Sequence, residues 1–206
     1  MAEQRSALIF AGGRATRLGG LNKALLDVGG RPIVRRILDA LEPLVDERVI
    51  LTNDEALLAQ PKTRLVFDPT PFAGVLTALA SGLETARGDL CLAVACDMPF
   101  VSRLLFERLL QTQRERDADV VIPRTAGFLE PMHAVYRRER VLAAIRAALG
   151  RGEQRMVSYF GAVHVEELGE GAWQAIDPAG RAFFNVNTPD DLAEARRLAR
   201  EQEQPE

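Results

Sequence analysis

The sequence predicts a three-layer α/β sandwich: a mostly parallel central sheet with helices on both faces. Three observations carry this. Short apolar runs alternate with amphipathic helical stretches through the first 125 residues, with short connections between them. One of those runs, residues 90–96, is apolar at every position, which requires cover on both sides and marks a central strand. A length of 206 residues with 47% hydrophobic side chains supplies one domain with a substantial core.

Taken in order, residues 6–10 form an apolar run that stops at Gly12-Gly13 and reads as a buried strand feeding a loop. Pro32 opens a helix in which Ile33, Ile37, Leu38, Leu41 and Leu44 recur at three- and four-residue steps. Residues 48–52 and 64–67 are the next two strands, the second ending at Asp68-Pro69. Val75, Leu76, Leu79, Ala80 and Leu83 make the stripe of a second helix, which leads into the apolar strand 90–96. Residues 102–116 read as helix and 119–123 as strand.

The remainder is less regular. Residues 132–136 look extended, 138–149 helical, 162–167 extended, and 183–187 a last strand. Thr188 then caps a final helix, with Pro189 at its first position and Asp191 closing a capping box. Residues 201–206 form a polar, frayed tail. Neither an internal repeat nor a Pro-, Gly- or Ser-rich linker divides the chain, so residues 1–200 read as a single domain.

A net charge of −3, with both signs spread along the chain, argues against a broad basic face for nucleic acid or an anionic membrane. No window approaches the roughly 18 consecutive apolar residues of a membrane span, and the short N-terminal apolar run leads into a glycine loop rather than a signal-peptide cleavage site. The expectation is a cytoplasmic protein. Cys91 and Cys96 lie five apart, an odd offset that sends side chains to opposite faces of a strand. They read as buried thiols rather than a disulfide or a metal pair. With His133 and His164 as the only histidines, a multi-histidine metal site is excluded. His133 reads as either a structural residue or a substrate contact.

The chemistry concentrates in residues 12–23, where Gly12 and Gly13 are followed by Arg14, Arg17 and Lys23. A strand ending in a glycine turn gathers backbone N–H groups around one concavity, which suits phosphate oxygens. Neither G-x-x-x-x-G-K-[ST] nor G-x-G-x-x-G is present, so this is neither a Walker loop nor a dinucleotide fingerprint. A second signal is Cys96-Asp97-Met98-Pro99, where a carboxylate follows the central strand and is aimed at the ligand edge of the sheet. Hard oxygen ligands of this kind suit Mg²⁺ beside substrate phosphates. Asp68 and Asn53, each closing a strand, are further candidates for metal, sugar or base contacts, or for ordinary turn chemistry.

The segment Phe10-Ala11-Gly12-Gly13-Arg14-Ala15-Thr16-Arg17-Leu18-Gly19-Gly20-Leu21-Asn22-Lys23 resembles the signature loop of the molybdenum cofactor guanylyltransferases. These are GT-A-like nucleotidyltransferases with a Rossmann-like sheet. Pro71-Phe72-Ala73-Gly74-Val75, Cys96-Asp97-Met98-Pro99, Gly152-Glu153-Gln154-Arg155-Met156 and Phe184-Asn185-Val186-Asn187-Thr188-Pro189 extend the resemblance along nearly the whole chain. It implies a nucleotide-binding half over about residues 1–125 and an acceptor-binding half over about 126–200. It further implies that Phe10, Ala11, Gly12, Gly13 and Lys23 hold the phosphates of GTP. Asn53, Asp68 and Asp97 would complete the nucleotide and Mg²⁺ contacts, with Asp97 on the metal, while Asn185 and Asn187 face the pterin. In the implied reaction the terminal phosphate of molybdopterin attacks the α-phosphorus of GTP, with Lys23 and Arg17 stabilising the departing pyrophosphate. Transient contact with molybdoenzymes or their chaperones is implied at the same level.

Three departures stand out. Asn22 occupies a position that is usually Asp, Asp68 is followed by a short Pro69-Thr70-Pro71 link, and Glu130-Pro131-Met132-His133-Ala134 follows its pattern loosely. Competing readings are nucleotidyl transfer to another acceptor and a non-catalytic nucleotide-binding adaptor on the same fold. The other acceptor would be a sugar or polyol phosphate, or molybdopterin in a cytidylyl version of the reaction.

Overall fold

The computed structural model describes residues 3–12, 22–54, 57, 63–67 and 74–203. Strand β1 (Arg5–Phe10) is followed by the small hairpin β2 (Asp27–Val28) and β3 (Arg31–Pro32), then α1 (Ile33–Leu41), β4 (Glu47–Leu51) and β5 (Arg64–Val66). Helix α2 (Val75–Thr85), β6 (Leu90–Ala95), α3 (Arg103–Arg116), β7 (Val120–Thr125), β8 (Phe128–Leu129) and β9 (His133–Arg137) continue the chain. It ends with α4 (Arg138–Gly150), β10 (Val165–Leu168), α5 (Glu170–Gln174) and α6 (Pro189–Glu203). The main sheet runs β10-β7-β9-β6-β1-β4-β5, with β8 paired to β7.

Pairing is parallel at β1–β4, β1–β6, β4–β5 and β7–β10, and antiparallel where β9 lies between β6 and β7. The mostly parallel sheet expected from the sequence is present. Its central strand β6 has one parallel and one antiparallel neighbour. The reversal at β9 follows from local geometry. Ala126 and Gly127 both have positive φ (45° and 83°), the two-residue hairpin turn that sends β8 straight back along β7.

Strand periodicity divides the core into two layers. Ala7, Ile9, Leu90, Leu92 and Val94 pack with α1, α3 and α6, whereas Leu8, Cys91 and Ala93 pack with α2 and α4. Cys91 and Cys96 fall in opposite layers as their spacing requires, and burial pushes each thiol up to about 12. Helix α1 ends at Leu41 because Pro43 follows, and Glu42–Leu44 tightens into a 3₁₀ turn that still buries Leu44. Ser102 Oγ caps α3 by accepting from Leu105 N at 3.2 Å.

One expected element is absent. Residues 183–187 are not a strand: Arg181–Phe183 is a 3₁₀ turn, and the residues after it lie across the end of the sheet, where Val186 N donates to Asp97 O at 2.8 Å. The sheet ends at β10 and β5, and this apolar segment joins neither edge but packs against the core without a ladder. Helix α6 continues to Glu203, into the stretch expected to fray; residues 204–206 lie outside the described residues.

His133 belongs to the core. It is fully buried on β9, its ring stacks on Phe106 at 4.7 Å and tilts against Phe183 at 5.1 Å, and neither ring nitrogen has a hydrogen-bond partner among the described residues. Burial lowers its pKa from 6.5 to about 3. The folded chain therefore keeps this imidazole neutral while the unfolded chain protonates it near 6.5. Stability is lost as pH falls through the window from 6.5 to 3, because the unfolded state then binds the extra proton. His133→Phe keeps the stacking shape and removes the proton site, so it should flatten the acid limb of stability. Urea midpoints at about pH 7 and about pH 4.5, on either side of the unfolded-state value, check this. Equal pH dependence in both proteins contradicts it.

Candidate active site

The chain leaves β1 toward β4 on one side and returns through α2 to β6 on the other, so the strand order reverses between β1 and β6. At such a reversal the loops leaving adjacent strands diverge and open a crevice at the carboxyl edge. Ala11 and Gly12 follow β1 at this edge, Lys23 lies near it, and Asp97 stands just beyond the end of β6.

Lys23 opens a 3₁₀ turn (Lys23–Leu25) whose cap is Asn22, with Asn22 Oδ1 accepting from Ala24 N at 2.9 Å. From that position Lys23 Nζ donates to Asp97 Oδ2 at 3.2 Å and to Asn187 Oδ1 at 2.5 Å. Three separate motifs thus meet at one ammonium group. The Lys23 and Asp97 side chains retain 18% and 21% exposure, enough to meet a ligand while their charges are only partly screened.

The backbone fixes Asp97 from two sides. Cys96 N donates to Phe10 O at 3.0 Å, and Asp97 O receives Val186 N. Asn187 is held in turn by Asp191, whose Oδ2 accepts from Asn187 N at 2.9 Å and Thr188 N at 2.8 Å, while Asp191 N donates to Thr188 Oγ1 at 3.1 Å. This is the capping box expected at the head of α6, and it also orients a site residue. The hydrogen bond from Asn187 N, with those from Thr188, holds the Asp191 carboxyl below its usual range.

Asp97 Oδ1 is buried and has no hydrogen-bond partner among the described residues. Glu47, at the amino edge of the sheet, makes the contrast: it accepts from Ser6 Oγ, Arg64 and Arg87 N. Burial pushes the Glu47 carboxyl up, but these hydrogen bonds outweigh it and hold the carboxyl below its usual value. Glu47 is a satisfied structural carboxylate, whereas Asp97 keeps an oxygen in reserve. Among the described residues there is no cluster of three or more His, Cys, Asp or Glu side chains able to hold a metal. A single hard oxygen beside bound phosphates is the donor set Mg²⁺ takes.

The other expected site residues divide in three. Phe10, Ala11 and Gly12 line the start of the loop. Ala11 is anchored by Ala11 N donating to Leu51 O at 2.8 Å, and a side chain on Gly12 would meet no described atom within 4 Å. Gly82 of α2 lacks a Cβ where one would come within 3.0 Å of the Phe10 ring, which lets the helix approach the strand end. Asn53 is exposed after β4, and Asn185 Nδ2 donates to Phe183 O at 3.0 Å; both stand outside the Lys23 hydrogen-bonded set. Gly13, Arg14, Arg17 and Asp68 lie outside the described residues. Sequence reasoning missed Thr52 and Asp54. Thr52 Oγ1 donates to Ala11 O at 3.2 Å and accepts from Asp54 N at 3.0 Å. A threonine closing a strand was the one local signal for them.

Residues 7–166 match the MobA-like NTP transferase domain. A molybdenum cofactor guanylyltransferase of Rhodopseudomonas palustris is 36% identical over 202 residues, covering 94% of this chain and 91% of the relative. Among solved structures, molybdopterin-guanine dinucleotide biosynthesis protein A from Archaeoglobus fulgidus superposes with a TM-score of 0.79 at 22% identity, over 95% of this chain and 99% of the other. The 2-C-methyl-D-erythritol 4-phosphate cytidylyltransferase of Thermus thermophilus gives 0.70 at 22% identity, over 96% and 99%. Those two likenesses establish the fold, while the family match and the 36% relative go further: this chain belongs to the MobA-like NTP transferase family.

Proposed function

We propose that this chain transfers GMP from GTP to the terminal phosphate of the molybdopterin cofactor, releasing pyrophosphate. The observation that carries the reading is the meeting of Lys23, Asp97 and Asn187 at the strand reversal, in a chain aligned almost end to end with a guanylyltransferase. An acceptor phosphate oxygen forms the new bond to the α-phosphorus, and the bond to the β-phosphate bridging oxygen breaks. A phosphate monoester has its second pKa near ~6 and is mostly a dianion at neutral pH, so it needs no general base. Catalysis rests on positioning and on charge stabilisation.

Within that scheme Lys23 places a cation where charge builds on the departing pyrophosphate, and Arg17 is assigned the same task from its position in the loop. Asn187 keeps Lys23 turned into the crevice from the acceptor side. Asp97 has the unpartnered oxygen that a metal would use, and Mg²⁺ held there would neutralise phosphate charge. Gly12 and Gly13 are assigned to the phosphate oxygens, Asn53 and Asp68 to the nucleoside, and Asn185 to the pterin. No helix among the described residues is long and apolar enough to cross a membrane, and a cytoplasmic enzyme handing its product to molybdoenzymes or their chaperones is part of the same proposal.

The test is to incubate the protein with each nucleoside triphosphate and molybdopterin, with and without Mg²⁺, and to identify the dinucleotide by mass. A guanine dinucleotide formed with pyrophosphate only when Mg²⁺ is present is the expected result. A cytosine dinucleotide would reassign the base. Nucleotide binding that ignores Mg²⁺ and yields no dinucleotide would indicate an adaptor.

A further inference from the structure

Both ends of the glycine-rich loop are tied to one short segment after β4. At the entry, Ala11 N donates to Leu51 O and Thr52 Oγ1 donates to Ala11 O. At the exit, Asn22 Nδ2 donates to Asp54 Oδ2 at 2.8 Å, across 32 positions of sequence. Thr52 and Asp54 are themselves joined, because Asp54 N donates to Thr52 Oγ1. The series Ala11–Thr52–Asp54–Asn22–Ala24 therefore closes around the base of the loop, and its last link is the cap of the turn on which Lys23 stands.

We propose that Asn22, Thr52 and Asp54 form a clamp that positions Lys23 for the nucleotide phosphates, and that the clamp works only with an amide facing a carboxylate or a second amide. The inference rests on the nucleotidyl-transfer reading of the site. Its chemistry is specific. Asn22 uses both ends of its amide, accepting from Ala24 N with Oδ1 and donating to Asp54 with Nδ2. A carboxylate at position 22 would still cap the turn but would bring a second anion to within hydrogen-bond distance of Asp54. In a partly buried setting two such carboxylates repel strongly. The repulsion acts on the residue next to Lys23, and a displacement of about 1 Å in a positioning group can cost roughly a hundredfold in rate. Asn22, Thr52 and Asp54 are positioning residues; Lys23 is the group that meets substrate.

The experiment compares wild type, N22A, N22D, D54N and N22D/D54N by turnover kinetics, by GTP calorimetry and by melting temperature. For N22D kcat/KM for GTP should fall by roughly 10- to 100-fold, with part of the loss read as a raised Kd, while a single cooperative melting transition is retained. N22A, which loses both bonds without adding repulsion, should show a smaller loss. D54N should stay within about threefold of wild type, because Asn22 can donate to an amide oxygen as well. The double variant should return to the same range, since it exchanges the two groups: the carboxylate introduced at position 22 accepts from the amide introduced at position 54. A wild-type Kd in N22D and N22A overturns the proposal. So does a double variant as impaired as N22D, since the new charge would then act on phosphate or Lys23 directly. A wild type that binds GTP but forms no dinucleotide removes the functional reading, while the five calorimetric affinities still decide the clamp.

Discussion

Replacing Asp97 by alanine should lower the rate of GMP transfer by a factor on the order of 10³ while the protein stays folded. The side chain contributes two things. Its Oδ1 has no hydrogen-bond partner among the described residues and is the oxygen a metal would use, and its Oδ2 is the anion that draws Lys23 into the crevice. Its structural task belongs to the backbone: the carbonyl that receives Val186 N survives in the variant, as does the bond from Cys96 N to Phe10 O. Asp97→Asn keeps the shape and an acceptor for Lys23 but removes the charge, so it should remain impaired by about 10²-fold. Single-turnover rates at saturating Mg²⁺ and circular dichroism of the same samples check both expectations. A well-folded Asp97→Ala enzyme within about tenfold of wild type would refute the role assigned to this carboxylate.

Lys23→Ala is expected to fall by about 10²- to 10³-fold, with part of the loss appearing as a raised KM for GTP. Only part should appear there, because charge on the leaving pyrophosphate is greater in the transition state than in bound GTP. Lys23→Arg should not restore the rate. The ammonium sits 2.5 Å from Asn187 Oδ1 and 3.2 Å from Asp97 Oδ2, and a planar guanidinium on a longer arm cannot reproduce both contacts from the same turn. The measurement is kcat and KM for GTP at fixed acceptor. An arginine variant with wild-type turnover would mean that position 23 supplies only bulk positive charge.

Much of this was legible in the sequence, for identifiable reasons. The strands β1, β4 and β6 announce themselves because a buried strand tolerates no polar face, and the stripes of α1 and α2 because a helix on a sheet must bury one side. The carboxyl-edge rule then placed residues 12–23 and Asp97 together, and Lys23 and Asp97 are bonded to each other. Residues 183–187 misled because Phe183, Phe184 and Val186 have the composition of a strand. Whether such a segment finds a partner depends on sheet positions filled by distant parts of the chain. The direction of β9 was equally hidden, since it hangs on two residues in a left-handed turn. The Asn22–Asp54 contact had no local signature either: the sequence shows Asn22 only as a departure from the usual Asp, and only the fold shows the carboxylate it faces.

The partner of Lys23 in the late segment lies 164 residues away, whereas the last strand among the described residues ends at Leu168. During synthesis, a nascent chain that has emerged through β10 holds the strands of the sheet and both Lys23 and Asp97, yet it lacks Asn187 and the backbone N–H that steadies Asp97. Its pyrophosphate-releasing centre is finished last, by the segment that leads into α6. The hydrogen bonds that turn Lys23 and steady Asp97 therefore close only once a segment that joins no strand has folded against the end of the sheet.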